Sequence, residues 1–164
     1  MSRRMEDVDV RPESLDLGYL ALFVGQRMND QVLEELHGAG FTGLRHSHGH
    51  VFQHLLGGAR SISELAKLLG VTQQAASKSV AELESLGYVD KTEAGDARVR
   101  QVALSPRGLA SVEKSRALRS ALQKRFERQH GEGPLREART LLAGMLVSLG
   151  GEDAARRRRV RLTR

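Results

Sequence analysis

The sequence predicts a mainly α-helical fold with one small β-hairpin, and three observations carry that prediction. Apolar residues recur at helical spacing in six separate segments, two short strand-like runs bracket a polar tip near residue 95, and glycines stand where the helices must stop. The densest signals fall in residues 61–108.

In chain order, Ser14 has cap chemistry for a first helix reaching about residue 37, on which Leu20, Phe23, Val24, Met28, Val32 and Leu36 form a stripe. Gly18 and Gly25 lie seven residues apart, nearly on one face, where they admit another helix closely at a cost of ~1 kcal/mol each relative to Ala. A second helix, about 43–56, turns Leu44, Val51 and Leu55 inward and ends at Gly57 and Gly58. Ser61 and Glu64 have capping-box spacing for a third, with Ile62, Leu65, Ala66 and Leu69 on one face and Gly70 as its left-handed stop. Thr72 caps a fourth, whose Ala76, Val80, Leu83 and Leu86 point into the body until Gly87 ends it.

Tyr88, Val89, Lys91 and Thr92 suit one strand and Val99, Gln101, Val102, Ala103 and Leu104 another, with residues 93–98 as the polar tip between them. Ser105 and Pro106 then open a helix that Leu118, Leu122 and Phe126 continue to about residue 129. The run from Gly131 to Pro134 breaks it. A last helix, about 135–149, shows Ala138, Leu141, Leu142, Met145 and Leu149 along one side.

Helix, glycine turn, capped helix and hairpin follow one another as in a winged helix-turn-helix. With its apolar stripe turned inward, the fourth helix leaves Gln73, Gln74, Ser77 and Lys78 near its exposed amino-terminal end. Such an end can enter a major groove: Gln bonds an adenine edge in two places, Ser accepts several edges, and Lys meets guanine or phosphate. In isolation the same residues would be ordinary solvated surface; the capped helix before them and the hairpin after make them a reading edge. At the hairpin tip, Asp96 stands two residues before Arg98 and can aim its guanidinium, which suits the narrow, electronegative minor groove. The plain alternative is a surface ion pair worth at most ~1 kcal/mol. Ser61, Thr72 and Lys91 complete the expected DNA-contacting set.

The order SISELAKLLGVT, reading helix, LGYVDKT, the Asp96 and Arg98 tip, then LSPRG at residues 104–108 resembles the multiple-antibiotic-resistance regulator (MarR) family. With the flanking helices the resemblance extends over most of the chain. It implies a homodimer, a recognition helix in the major groove, a wing Arg in the minor groove, and control of transcription by small ligands. One departure concerns base preference: Ala75 and Ala76 are smaller than the Thr and branched residue common in the family.

The resemblance divides the chain into an amino-terminal arm (1–13), an amino-terminal dimerisation helix (14–42), a winged helix-turn-helix (43–104), carboxy-terminal dimerisation helices (105–150) and a basic tail (151–164). Apolar helices outside a self-contained reading head need somewhere to bury their stripes; packing within a monomer is one answer and a partner chain the other. A two-fold dimer would hold two recognition helices roughly 34 Å apart, predicting an inverted-repeat operator on double-stranded DNA.

At 164 residues and 40% apolar content the chain suits one compact domain with an appendage. No run approaches the ~20 apolar residues of a membrane helix, and the polar amino terminus lacks the hydrophobic stretch of a secretory signal, so a cytoplasmic address without a membrane partner is expected. There are no cysteines, which excludes disulfides, thiolate zinc sites and thiol-based peroxide sensing. The net charge of +6 is less informative than it looks: six Arg against Glu152 and Asp153 give the tail +4 and leave +2 for the body. That tail is either a phosphate-gripping arm or a solvated end. The Arg-over-Lys, Gly- and Ala-rich usage suggests a GC-rich bacterial genome.

His46, His48, His50 and His54 crowd one helix. Four-residue steps put His46, His50 and His54 on one side, a candidate face for a metal-responsive regulator, although Asp and Glu are absent from residues 38–63 and ligands would have to come from elsewhere. His48 falls with Leu44, Val51 and Leu55. An ordinary polar helix face is the simpler reading, and no metal or other cofactor is expected. The family's effector cleft lies close to this segment, so His48 and His50, with Arg27 of the first helix, are the candidates for touching a small-molecule effector such as an organic anion. No phosphate loop, H-E-x-x-H pair or nucleophile elbow supports an enzyme. The expected function is a ligand-responsive repressor, with a winged-helix protein-interaction module as the other alternative.

Overall fold

The computed structural model describes residues 11–93 and 100–156. The expected wing-tip residues Asp96 and Arg98, most of the arm and most of the basic tail lie outside them. Among the described residues, a short 3-10 turn (Pro12–Ser14) precedes α1 (Leu17–Gly38), α2 (His46–Leu55), β1 (Arg60–Ser61), α3 (Ile62–Leu69) and α4 (Gln73–Ser85). β2 (Val89–Glu93), β3 (Arg100–Leu104), α5 (Pro106–His130), α6 (Glu132–Ser148) and a five-residue α7 (Glu152–Arg156) follow. No described helix is long and apolar enough to cross a membrane.

The caps explain most boundaries. Ser61 Oγ accepts the Glu64 N–H at 3.2 Å while the Glu64 carboxylate accepts the Ser61 N–H at 2.8 Å, the expected reciprocal pair. Gly70 then turns at φ 68°. Thr72 Oγ1 accepts the Ala75 N–H at 3.2 Å to open α4. Ser105 Oγ accepts the Gly108 N–H at 3.0 Å and donates to the Gly87 carbonyl at 2.7 Å, so one hydroxyl starts α5 and ties it to the turn before β2.

Four boundaries differ from the sequence expectation, each for a local reason. The first helix is capped by Asp16, whose carboxylate accepts the Gly18 and Tyr19 N–H groups, while the Ser14 hydroxyl is spent on the Arg11 carbonyl within the preceding turn. α2 starts three residues late because Gly43 sits at φ 78° and Arg45 is extended. α6 starts three residues early, at Glu132; Pro134 falls in its first turn, where a missing N–H costs no helical bond. β1 has only two residues and carries no alternation by which to find it.

The sheet has the order β1-β3-β2, antiparallel throughout, with Arg60 opposite Val102 and Val89 opposite Leu104. β1 ends on the residue that caps α3, so the root of the wing and the first helix of the motif share a backbone. The core joins Val32 and Leu36 of α1, Val51, Phe52 and Leu55 of α2, Leu65 of α3, Val80 and Leu83 of α4, and Val89, Val102 and Val112. Tyr88 is fully buried within it and donates its hydroxyl to the Thr42 carbonyl at 2.9 Å. The stripe of α1 is buried only at Val32 and Leu36; Phe23 and Val24 remain about half exposed. α6 buries none of its residues in this chain.

Candidate nucleic-acid interface and adjoining cleft

α4 presents its two faces as the sequence requires. Ala76, Val80 and Leu83 are buried against the core, and Gln73, Gln74, Ser77 and Lys78 are all exposed on the first two turns. Gln73 with Ser77 and Gln74 with Lys78 make adjacent four-residue rows. The Thr72 hydroxyl occupies only one of the free amides at this end, so the rest add a positive partial charge to the edge.

Among the described residues, Lys91 and Ser61 are already engaged. Lys91 pairs with the carboxylate of Glu84, linking β2 to α4. The Ser61 backbone N–H and hydroxyl both donate to Glu64 and hold its carboxyl below the usual carboxylate range, so Ser61 serves the cap first. Glu84 was not singled out from the sequence. Its partner is seven residues away across a turn, and no periodicity reports such a pair.

Residues 42–98 match the model described as the MarR family. That match spans most of the winged helix and less than half of the chain. Comparison with curated proteins gives no match. Among solved structures, a MepR mutant of Staphylococcus aureus bound to an oligodeoxyribonucleotide is 19% identical, covering 82% of this chain and 99% of that one, with a TM-score of 0.62. YusO of Bacillus subtilis is 24% identical over 79% of this chain and 89% of its own, at a TM-score of 0.64. A mutant MarR from E. coli is 22% identical over 80% and 97%, at 0.62. At these identities the likeness is one of fold.

Behind this winged helix lies a cleft of about 350 Å³ between α1, α2 and α5. Val32, Leu33, Leu36, Leu44, Phe52 and Val112 line its apolar part. Its polar lining comprises Arg45, His46, His48, Arg116 and Arg119 with Asn29, Gln53, Ser111 and Ser115. Among the described residues no acidic side chain lines it. Arg119 donates to Asn29 at 2.9 Å across the α1–α5 seam.

The histidines separate sharply. His48 is 1% exposed and lines the cleft, and burial, followed by the nearby Arg45 charge, lowers its pKa to about 4. His50 is half-buried and shifted down by burial and then by His46, but it stands outside the cleft lining. His46 bonds Asp30 at 2.8 Å. Arg27 pairs with Glu34 at 2.9 Å on the surface and is likewise outside the cleft. Among the described residues no group of three or more His, Asp or Glu could hold a metal ion, so the row of His46, His50 and His54 is not gathered into a metal centre. Arg116 and Arg119 are the residues sequence reading passed over; their spacing from Val112 and Ser115 on α5 is the signal that could have found them.

Proposed function

We propose that the chain is a dimeric, sequence-specific DNA-binding repressor whose operator affinity responds to a small organic anion. The observation that carries the DNA-binding reading is the exposed Gln73, Gln74, Ser77 and Lys78 edge, offered by α4 opposite its buried stripe within a MarR-family winged helix. A relative of the same fold was solved on an oligodeoxyribonucleotide, and MepR is described as a regulator of a multidrug efflux pump. Repression follows from occupancy, since a protein covering promoter DNA blocks polymerase. In this reading Gln73, Gln74, Ser77 and Lys78 face the major groove, Thr72, Ser61 and Lys91 support them at the phosphates, and Asp96 aims Arg98 into the minor groove.

Selection of bound duplexes from a random pool tests the proposal, with an inverted repeat as the expected product. Gln74→Ala should then cost about 1–3 kcal/mol on the selected duplex and much less on random DNA. Failure to enrich any sequence would remove specific recognition; equal losses on both duplexes would reduce Gln74 to a phosphate contact.

The ligand half rests on the cleft. An apolar part beside Arg45, Arg116, Arg119 and His48, with no carboxylate among the described lining residues, suits a small apolar body bearing a carboxylate. The metal-responsive alternative has no gathered ligand set among the described residues.

A further inference from the structure

Glu82 lies on α4, four residues beyond Lys78 and eight beyond Gln74, on the strip of helix that continues the reading edge toward the cleft. Its carboxylate is held from outside that helix. Arg45, the residue before α2, pairs with Glu82 Oε2, and His48 Nε2 stands 3.6 Å from the same oxygen. The backbone N–H of Arg45 donates to His48 Nδ1 at 3.2 Å, so the neutral imidazole carries its proton on Nε2. That Nε2–H is buried and has no hydrogen-bond partner. A buried donor left unmade is costly, and this one stands just beyond hydrogen-bond length from the Glu82 carboxylate, on a residue that lines the cleft together with Arg45.

We propose that Glu82 is the positioning residue through which occupancy of the cleft reaches the recognition helix: an entering organic carboxylate takes the Arg45 guanidinium from Glu82 and supplies the acceptor that the His48 Nε2–H lacks. The inference rests on the cleft being an anion site. An oxygen of the ligand within reach of both donors completes the imidazole's missing hydrogen bond and competes directly for the guanidinium. α4 then loses its tie to α2 on the strip that carries Gln74 and Lys78, and the reading edge is free to rotate out of register. By linkage, a ligand that weakens DNA binding through this exchange is itself bound more weakly when DNA is present.

The test uses benzoate, a carboxylate on a body small enough for the cleft, with the full-length protein and the duplex it selects. Calorimetry on wild type, Glu82→Gln and Arg45→Gln gives benzoate affinity, and a duplex titration with and without benzoate gives the coupling. Glu82→Gln, isosteric and without charge, should bind benzoate about fivefold more tightly, because the internal competitor is gone. Arg45→Gln should bind it about as much more weakly. Opposite signs from the two ends of one ion pair are an outcome that a merely structural role would not give. In wild type benzoate should weaken duplex binding about tenfold, and in Glu82→Gln it should leave duplex affinity unchanged. Equal benzoate affinity in wild type and Glu82→Gln, with the duplex response intact in both, would overturn the inference while sparing the cleft. No benzoate binding by wild type would overturn both. A protein that binds benzoate but selects no duplex would refute the DNA-binding reading, and the calorimetric signs alone would then decide whether Glu82 competes for the cleft.

Discussion

His48 shows how one side chain can take its meaning from two distant segments. Its place among Leu44, Val51 and Leu55 was legible from helical spacing, and all four are buried. Its neighbour Glu82 was not, because that contact spans two loops and a helix. Arg45 and Glu82 are the charged groups that face it, and burial sets the balance, with the folded-state pKa near 4 against an ordinary value of 6.5. Above pH 6.5 the imidazole is neutral in both states and its contribution to stability is fully present. As pH falls through the window from 6.5 toward 4, the unfolded chain takes up a proton that the folded chain resists, and stability falls by at most about 1.4 kcal/mol per pH unit. Urea unfolding between pH 7.5 and pH 5 should show this slope, and His48→Asn should flatten it. A slope unchanged in the variant would assign the pH response to other groups.

At the scale of elements, the caps of the motif and of α5 were written in the sequence, the Ser14 cap gave way to Asp16, and the close approaches were not legible. Ser61, Thr72, Ser105 and Pro106 work as local chemistry dictates, because a cap is a relation among residues three or four apart. Gly108 is different. A Cβ there would stand 2.1 Å from the Tyr88 carbonyl oxygen, so α5 packs on the backbone leading into β2 at a distance only glycine allows. The last residue of the LSPRG run is therefore fixed by the Tyr88 carbonyl twenty positions away, just before β2, which no pattern within the run reports. Gly108→Ala should destabilise the fold by about 3 kcal/mol, read as a lower urea midpoint, since neither backbone can yield without opening the α5 cap. A loss below about 0.5 kcal/mol, the range of an ordinary surface change, would show that the seam is soft. β1 escaped notice for the same reason: a two-residue strand exists only by virtue of its partner β3.

For the whole molecule, the most telling quantity is what remains uncovered. Leu22, Phe23 and Val24 on α1 and Leu141, Leu142, Leu146 and Val147 on α6 are 43–59% exposed. Phe23, Val24, Leu141 and Leu142 belong to the stripes legible in the sequence, which did not show what meets them; Leu22, Leu146 and Val147 widen them. Burying the exposed half of each such side chain on a second copy is worth about 1 kcal/mol, enough in sum to favour holding two chains together. Sedimentation velocity should therefore give about twice the 18.0 kDa chain mass, and Leu142→Asp should halve it with the winged helix still folded. An 18.0 kDa species for the unaltered protein would end the dimer reading and leave these stripes to another partner.

Tyr88 bears on how the molecule is made. Its hydroxyl reaches back to Thr42, its ring lies 6.1 Å from that of Phe52, the Arg107 guanidinium stands 4.9 Å from its ring centre, and its carbonyl seats Gly108. These partners arrive on the ribosome in sequence. A nascent chain that has just completed β3 holds every residue of the reading edge but not the residues that close the socket around Tyr88. The packing around Tyr88 therefore closes only once the first turn of α5, with Arg107 and Gly108, has been made.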